Sequence, residues 1–275
     1  MTHTPFNGDL IGTVLNANAL QSAQMNYIAK HKESRGRGKS NETSAQILVP
    51  LLYKLFKPVS VLDVGCGGGA WCREFINAGV TKVYGIDKRD CSFTHEKFLF
   101  QRNVDSLLNI AFPHASLTLC LEVAEHLPEE EVDGLVGSLV MSAPVIIFAA
   151  GIPGQGGQGH INEQWPTYWF KKFVKHGYVV RDCIRPIIWN DKEISFWYRQ
   201  DILVFCTQEA AEDFHLLNPY CALDLVHPEA WLNIGPMRLF QRISKALPVY
   251  PAALALFITM VVATIATMIG LALGV

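Results

Sequence analysis

The segment Val59-Ser-Val-Leu-Asp-Val-Gly-Cys-Gly-Gly-Gly-Ala70 runs a short apolar stretch straight into four glycines in five positions. It reads as a buried strand, a tight turn and the start of a helix. Without Cβ atoms, Gly65, Gly67 and Gly69 can take dihedrals closed to other residues and let the backbone approach a bound group, with helix N–H groups aimed at it. A chain built this way is constrained to an α/β sheet whose ligand lies beyond the carboxyl end of the first strand, and the loop suits a nucleotide cofactor.

The rest of the chain continues the alternation. A helix is expected from Asn41, a candidate N-cap, through Ile47, Leu48, Leu51, Leu52 and Leu55 at helical spacing to Pro58. Strands are expected at 59–64, 82–87, 98–101, 116–121, 145–150, 178–185 and 200–206, with helices at 69–78, 128–141 and 166–176. The pattern predicts a doubly wound, mostly parallel seven-stranded sheet covered on both faces. The last two strands are expected to be longer than the others and joined by the aromatic Ile187–Tyr198 segment.

Asp63, two residues before Gly65, makes the turn Asp-x-Gly-x-Gly-x-Gly. This resembles motif I of the class I S-adenosylmethionine-dependent methyltransferases, and a carboxylate there suits a cationic cofactor. Gly65-x-Gly67-x-x-Ala70 also satisfies the dinucleotide fingerprint, with Asp87 placed where a ribose acid would stand. An acid at that strand end should repel a pyrophosphate. A second match is Leu119-Cys-Leu-Glu-Val-Ala-Glu-His-Leu127, which resembles motif IV of small-molecule methyltransferases such as the ubiquinone-biosynthesis O-methyltransferases. The resemblance spans about Asn41 to Gln208 and implies a Rossmann-like seven-stranded sheet closed by an antiparallel hairpin, with S-adenosyl-L-methionine as methyl donor.

What the resemblance implies for the site can be carried over residue by residue. Asp63, Gly65, Cys66, Gly67 and Gly69 would form the cofactor turn; Asp87, followed by Lys88, would accept the ribose hydroxyls; Asp105 would bond the adenine amino group; Glu122 and Val123 would lie beside the cofactor. The segment from Pro153 to Trp169 holds Gly154, Gly156, Gly157 and Gly159, then His160, Asn162, Glu163 and Gln164. The glycines imply a flexible lid or a close backbone approach. Trp165, Tyr168 and Trp169 offer flat surfaces for stacking. Methyl transfer to a hydroxyl benefits from a base near neutral pKa, and histidine has the suitable pKa. His160 is the first candidate, His126 the second and Glu163 the orienter or alternative; His160 could instead merely pin the glycine loop. No acid cluster with metal-ligand spacing stands out, so no metal is expected.

The chain ends are read separately. Residues 1–40 look like a helical extension ending in a basic loop, Lys30 to Lys39, and 209–246 like a C-terminal extension. Seven cysteines without a Cys-x-x-Cys pair suit a reducing compartment. The net charge of −2 gives no push toward nucleic acid. From Leu247 to Val275 no residue is charged, and Ala252 to Val275 as a helix would span roughly 36 Å, enough for a hydrocarbon core of about 30 Å. Arg238, Arg242 and Lys245 precede it, so a C-terminal anchor would leave the catalytic domain on the cytoplasmic side of a membrane; if the helix is buried instead, the protein is cytoplasmic. The expectation is an O-methyltransferase for a small molecule or a glycan- or lipid-linked acceptor. An NAD-dependent oxidoreductase and an inactive membrane-anchored binding module stay open.

Overall fold

A computed structural model of the chain describes residues 41–91, 93–102, 112–214 and 222–233. In chain order it comprises α1 (Asn41–Phe56), β1 (Ser60–Val64), α2 (Ala70–Asn77), β2 (Lys82–Asp87), β3 (Phe98–Arg102), β4 (Leu117–Leu121), a 3₁₀ turn (Ala124–His126), α3 (Glu129–Ser142), β5 (Val145–Ala149), α4 (Pro166–Val174), β6 (Val179–Arg181), α5 (Arg185–Ile188), α6 (Phe196–Asp201), β7 (Leu203–Cys206), α7 (Gln208–Asp213) and α8 (Pro228–Asn233).

The strands form one sheet in the order β3-β2-β1-β4-β5-β7-β6. β1 pairs in parallel with β2 and β4, β2 with β3, and β4 with β5. β7 runs antiparallel to both β5 and β6. The predicted doubly wound, mostly parallel seven-stranded sheet with a closing hairpin is what the chain builds. Its strand order reverses between β1 and β4, which opens a crevice beyond their carboxyl ends.

Both faces of the sheet are covered, because successive strand residues point to opposite sides. Leu117, Leu119, Leu121, Val145, Ile147 and Ala149 face the core that α1, α2 and α6 also enter, with Leu48, Leu52, Phe75 and Tyr198. Leu62, Val64, Cys120, Ile146 and Phe148 face the core shared with α3 and α4, with Leu135, Leu139, Trp169 and Phe173. Gly85 in β2 is required by this packing: a Cβ there would lie 2.8 Å from the Phe98 ring and 2.9 Å from Cys66 Sγ.

Two sequence expectations need correction. The last two strands are three and four residues long, not the longest. Pro186 at the start of α5 ends the extended run after β6, and residues 199–201, expected in part in a strand, close α6. Tertiary contacts decide this. Buried Arg185 bonds Asp182 Oδ2 at 2.7 Å and the carbonyls of Gln200, Ala222 and Leu223. Arg199 bonds the Ile194 and Trp189 carbonyls and Glu229 Oε2 at 2.7 Å. Both side chains use nearly their whole donor fork on the segment beside the hairpin, a demand that strand propensity cannot register.

By compactness the chain divides after Ala230. The expected helical extension over 1–40 and the apolar helix over 247–275 lie outside the described residues. Among the described residues no helix is long and apolar enough to cross a membrane.

Candidate active site

The glycine turn leaves β1 with Gly65, Gly67 and Gly69 at φ of 80°, 52° and 79°, the left-handed region that favours glycine. At Gly65 the demand is double, since a Cβ would also lie 2.3 Å from Val123 Cγ2. The turn is anchored from within: Gly65 N and Cys66 N donate to the Ile86 carbonyl, Gly69 N to the Cys66 carbonyl, and Gly67 N to Asp87 Oδ2 at 2.8 Å. Asp87, at the end of β2, also accepts from Arg89 N at 2.8 Å. It is 6% exposed, yet one bond on each oxygen leaves lone pairs for a ligand.

The crevice is a cleft of about 490 Å³, within the range of small-molecule sites. The turn and β2 line it with Gly65, Asp87, Lys88 and Arg89; the segment after β4 adds Glu122, Val123, His126 and Leu127; Gln158 comes from the glycine loop. Of the residues expected at the cofactor, Gly65, Asp87, Lys88, Glu122 and Val123 therefore meet at one opening. Asp105 lies outside the described residues. Asp63 and the Cys66 side chain are not on the cleft wall. Asp63 is 2% exposed and accepts a bond from Cys72 Sγ; burial pushes its pKa to about 7, with the Asp87 charge adding to the rise against the Cys72 bond. Cys66 packs toward Gly85 on β2.

A second group stands directly after β4. Glu122 has a φ of 58°, a strained value for a non-glycine residue. Its Oε2 accepts from Gln155 Nε2 at 3.3 Å, while Oε1 meets no donor. Burial raises its pKa well above the usual carboxylate range, and the charges of Glu125 and Asp201 push the same way. Glu125, in the 3₁₀ turn, is fully buried with both carboxylate oxygens unbonded. Burial pushes its pKa to about 7, although its own amide, the His160 charge and the Gly151 amide pull it down.

The glycine loop closes over this group. Ile161 N and Asn162 N both donate to the Glu125 carbonyl. Glu163 accepts from Gly154 N and Gly156 N at 2.7 and 2.6 Å and pairs with His160 Nδ1 at 2.9 Å. The His160 ring lies against Gly157, where a Cβ would come within 2.1 Å of Nε2. So the glycines make a close backbone approach, one of the two roles the sequence allowed. His160 Nε2 faces Glu125 Oε1 at 3.8 Å, and its ring meets that of His126 edge-on at 4.8 Å. His126 Nδ1 lies 3.0 Å from the Gly159 carbonyl; burial lowers its pKa, with the Gly159 bond opposing and the His160 charge reinforcing the shift.

Glu125, His126 and His160 thus offer ligand atoms all within 4.8 Å of one another, in a grouping able to hold a metal ion. The sequence shows no acid cluster with metal-ligand spacing, and this grouping is of another kind. A run of acids would show in the sequence, whereas this grouping joins one acid to two histidines from separate loops. Asp201, which sequence reasoning passed over, belongs to the same neighbourhood: it is buried with both oxygens unbonded, and its pKa is raised by burial and by Glu125. The stacking surface is also smaller than expected. Trp169 is buried against Phe148, Tyr168 bonds Glu129, and Trp165 is 38% exposed.

No family model matches the chain, and no curated protein does. Solved structures do resemble it. The methyltransferase domain of bacterial CtHen1 is 17% identical with a TM-score of 0.44, covering 60% of this chain and 97% of that one. Magnesium protoporphyrin IX methyltransferase from Synechocystis PCC 6803 with bound SAH is 15% identical, with a TM-score of 0.46 over 70% and 100% of the two chains. The [4+2]-cyclase SpnF is 14% identical, with a TM-score of 0.46 over 71% and 95%. Likeness at this level assigns neither activity nor substrate to the chain. Function has to be read from the site.

Proposed function

We propose that the chain is an S-adenosylmethionine-dependent methyltransferase acting on a hydroxyl of a small molecule or of a glycan- or lipid-linked acceptor. The observation that carries this reading is that four of the five amides of the glycine turn, residues 65–69, are satisfied within the protein. A dinucleotide pyrophosphate needs free N–H groups at such a turn. Here the amides of Gly65, Cys66, Gly67 and Gly69 are spent within the protein, and Gly67 N is spent on a carboxylate. Asp87 and Glu122 stand on the wall beside Lys88 and Arg89, with Asp63 buried beneath. The spent amides leave little of the turn to hold a pyrophosphate, whereas the Asp87 carboxylate offers acceptors to ribose hydroxyls and Glu122 to a cationic donor group.

In this reading Asp87 holds the ribose, and Glu122 and Val123 flank the donor beside β4. The acceptor oxygen attacks the methyl carbon in line, the S–CH₃ bond breaks with its electrons staying on sulfur, and the acceptor O–H proton passes to a base. His160 suits that role, because Glu163 fixes Nδ1 and the neutral ring then carries its lone pair on Nε2. His126 is the neighbouring alternative. The apolar tail at 252–275, preceded by Arg238, Arg242 and Lys245, supports a second part of the proposal, attachment to the cytoplasmic face of a membrane.

Calorimetry with S-adenosylmethionine, S-adenosylhomocysteine and NAD tests the cofactor. The adenosyl ligands should bind and raise the melting temperature by mass action, and NAD should do neither. Binding of NAD without the adenosyl ligands would overturn the proposal. Transfer of a radiolabelled methyl group into fractionated lipids, glycans or small metabolites identifies the acceptor, and cofactor binding without transfer to any fraction supports the inactive binding module.

A further inference from the structure

The grouping beside the cleft has more polarity than its own hydrogen bonds account for. Glu125 is fully buried, and no hydrogen bond of good geometry reaches either carboxylate oxygen from the described protein groups; its own amide, the Gly151 amide and the Glu122 carboxyl lie near it, and Glu122 Oε1 is likewise unbonded. Buried acceptors left this way are costly. The His160 side chain beside the Glu125 carboxylate offers no direct remedy. His160 Nδ1 donates to Glu163 Oε1, so in the neutral ring the lone pair sits on Nε2, which faces Glu125 Oε1 at 3.8 Å. Two electron-rich atoms face each other across a gap too long for a hydrogen bond.

His126 is arranged alike. The Gly159 carbonyl can only accept, so Nδ1 is its donor at 3.0 Å and the lone pair sits on Nε2. Two imidazoles, each donating its other nitrogen to a carboxylate or a backbone carbonyl, together with a buried carboxylate, are the pattern by which proteins orient metal-binding histidines.

From this geometry we infer that Glu125, His126 and His160, with Glu122 Oε1 as a fourth donor, bind one divalent first-row transition-metal ion at the floor of the cleft. The three ligand atoms lie within 4.8 Å of one another. Metal–ligand bonds of about 2.0–2.2 Å hold neighbouring ligand atoms roughly 3–4 Å apart, so the three close by about 1 Å, a shift that small side-chain rotations supply. Two imidazoles favour manganese, iron, cobalt or zinc over calcium and magnesium, which prefer an all-oxygen shell. Outside the ligands, Glu163 fixes His160 and Gln155 fixes Glu122.

The inference rests on the methyltransferase reading for its consequence and deepens it. Glu122 and His126 also line the cofactor cleft, so an ion there stands where it can bind the acceptor oxygen and face it toward the methyl group. Coordination polarises the acceptor O–H bond; its proton leaves to solvent, the oxygen forms the new bond to carbon, and sulfur keeps the electron pair of the broken bond. His160 is then a ligand, and the ion takes the place of the base.

Untagged full-length protein, stripped with a chelator and dialysed, is titrated with cobalt(II) under visible absorption and with manganese(II) and zinc(II) by calorimetry. One ion per chain should bind, with ligand-field bands for cobalt. Glu125→Gln, which keeps the buried shape, and the more exposed His126→Asn should each weaken binding at least 100-fold, and Glu163→Gln about 10–100-fold. Far-UV circular dichroism should stay unchanged in all three variants. If folded wild-type protein binds none of these ions, or binds them equally well in both ligand variants, the metal site is refuted. Loss of adenosyl-ligand binding with stoichiometric cobalt binding intact would refute the methyltransferase reading and leave the metal site standing.

Discussion

Replacing Asp63 by asparagine should remove a pH-dependent penalty on folding. The carboxyl is 2% exposed, and its pKa stands at about 7 in the folded chain against an ordinary 3.8. Burial is the main cause, and Asp87 contributes. Between about pH 4 and pH 7 the folded state therefore keeps a proton that the unfolded state has released. Stability consequently falls as pH rises through this window, the reverse of the usual effect of a salt-bridged acid. A rise of about 3 units at 1.36 kcal/mol each gives a loss of about 4 kcal/mol by pH 8.

The amide of the Asp63→Asn variant has no such proton to lose. Whatever constant offset it introduces against Cys72, the stability of the variant relative to the wild type should climb by about 4 kcal/mol from pH 4 to pH 8. At about 2–4 °C per kcal/mol for a domain of this size, the difference in melting temperature should widen by roughly 8–16 °C. Urea unfolding followed by circular dichroism at half-unit pH steps measures it. Glu122, Glu125 and Asp201 are also pushed up by burial, and they slope both proteins alike, so the difference between the two curves isolates Asp63. Parallel curves would show that Asp63 is solvated or ionised at neutral pH, and the burial argument would be wrong.

Asp87→Ala should weaken adenosyl-ligand binding by about 1.5–3 kcal/mol per lost charge-assisted bond and also loosen the turn, since Gly67 N loses its acceptor; unchanged affinity in calorimetry would remove Asp87 from the ribose site. His160→Gln should lower methyl-transfer turnover by about 10²–10⁴ with cofactor affinity within a few-fold, a split that separate measurements of turnover and binding resolve. Deleting 252–275 should leave a soluble, cofactor-binding domain if the tail is an anchor; aggregation of the truncated chain, with the full-length chain soluble without detergent, would show that the tail packs on the protein.

Local physics made much of the fold readable in advance. The Val59–Val64 run, the glycines behind it and the alternation of apolar runs with helical spacing are properties of contiguous residues, and they placed β1 through β5, α1 to α4 and the cleft at the strand ends. Asp87 and Glu122 were legible for the same reason, since each stands at the end of a strand that the pattern already delimits. Tertiary structure decided what contiguous residues cannot encode. The buried forks of Arg185 and Arg199 reach segments far along the chain and turn the expected long strands into short helices and strands. Asp63 reads from the sequence as a handle for a cation, but packing against Cys72 determines that it is buried. His126 and Gly159 are 33 positions apart, and it is the folding of the glycine loop onto Glu163 and the Glu125 carbonyl that brings His160 to Glu125 and His126. Local pattern determines which face a residue takes; convergence of polar groups depends on loop closure and burial, and those belong to the folded chain as a whole.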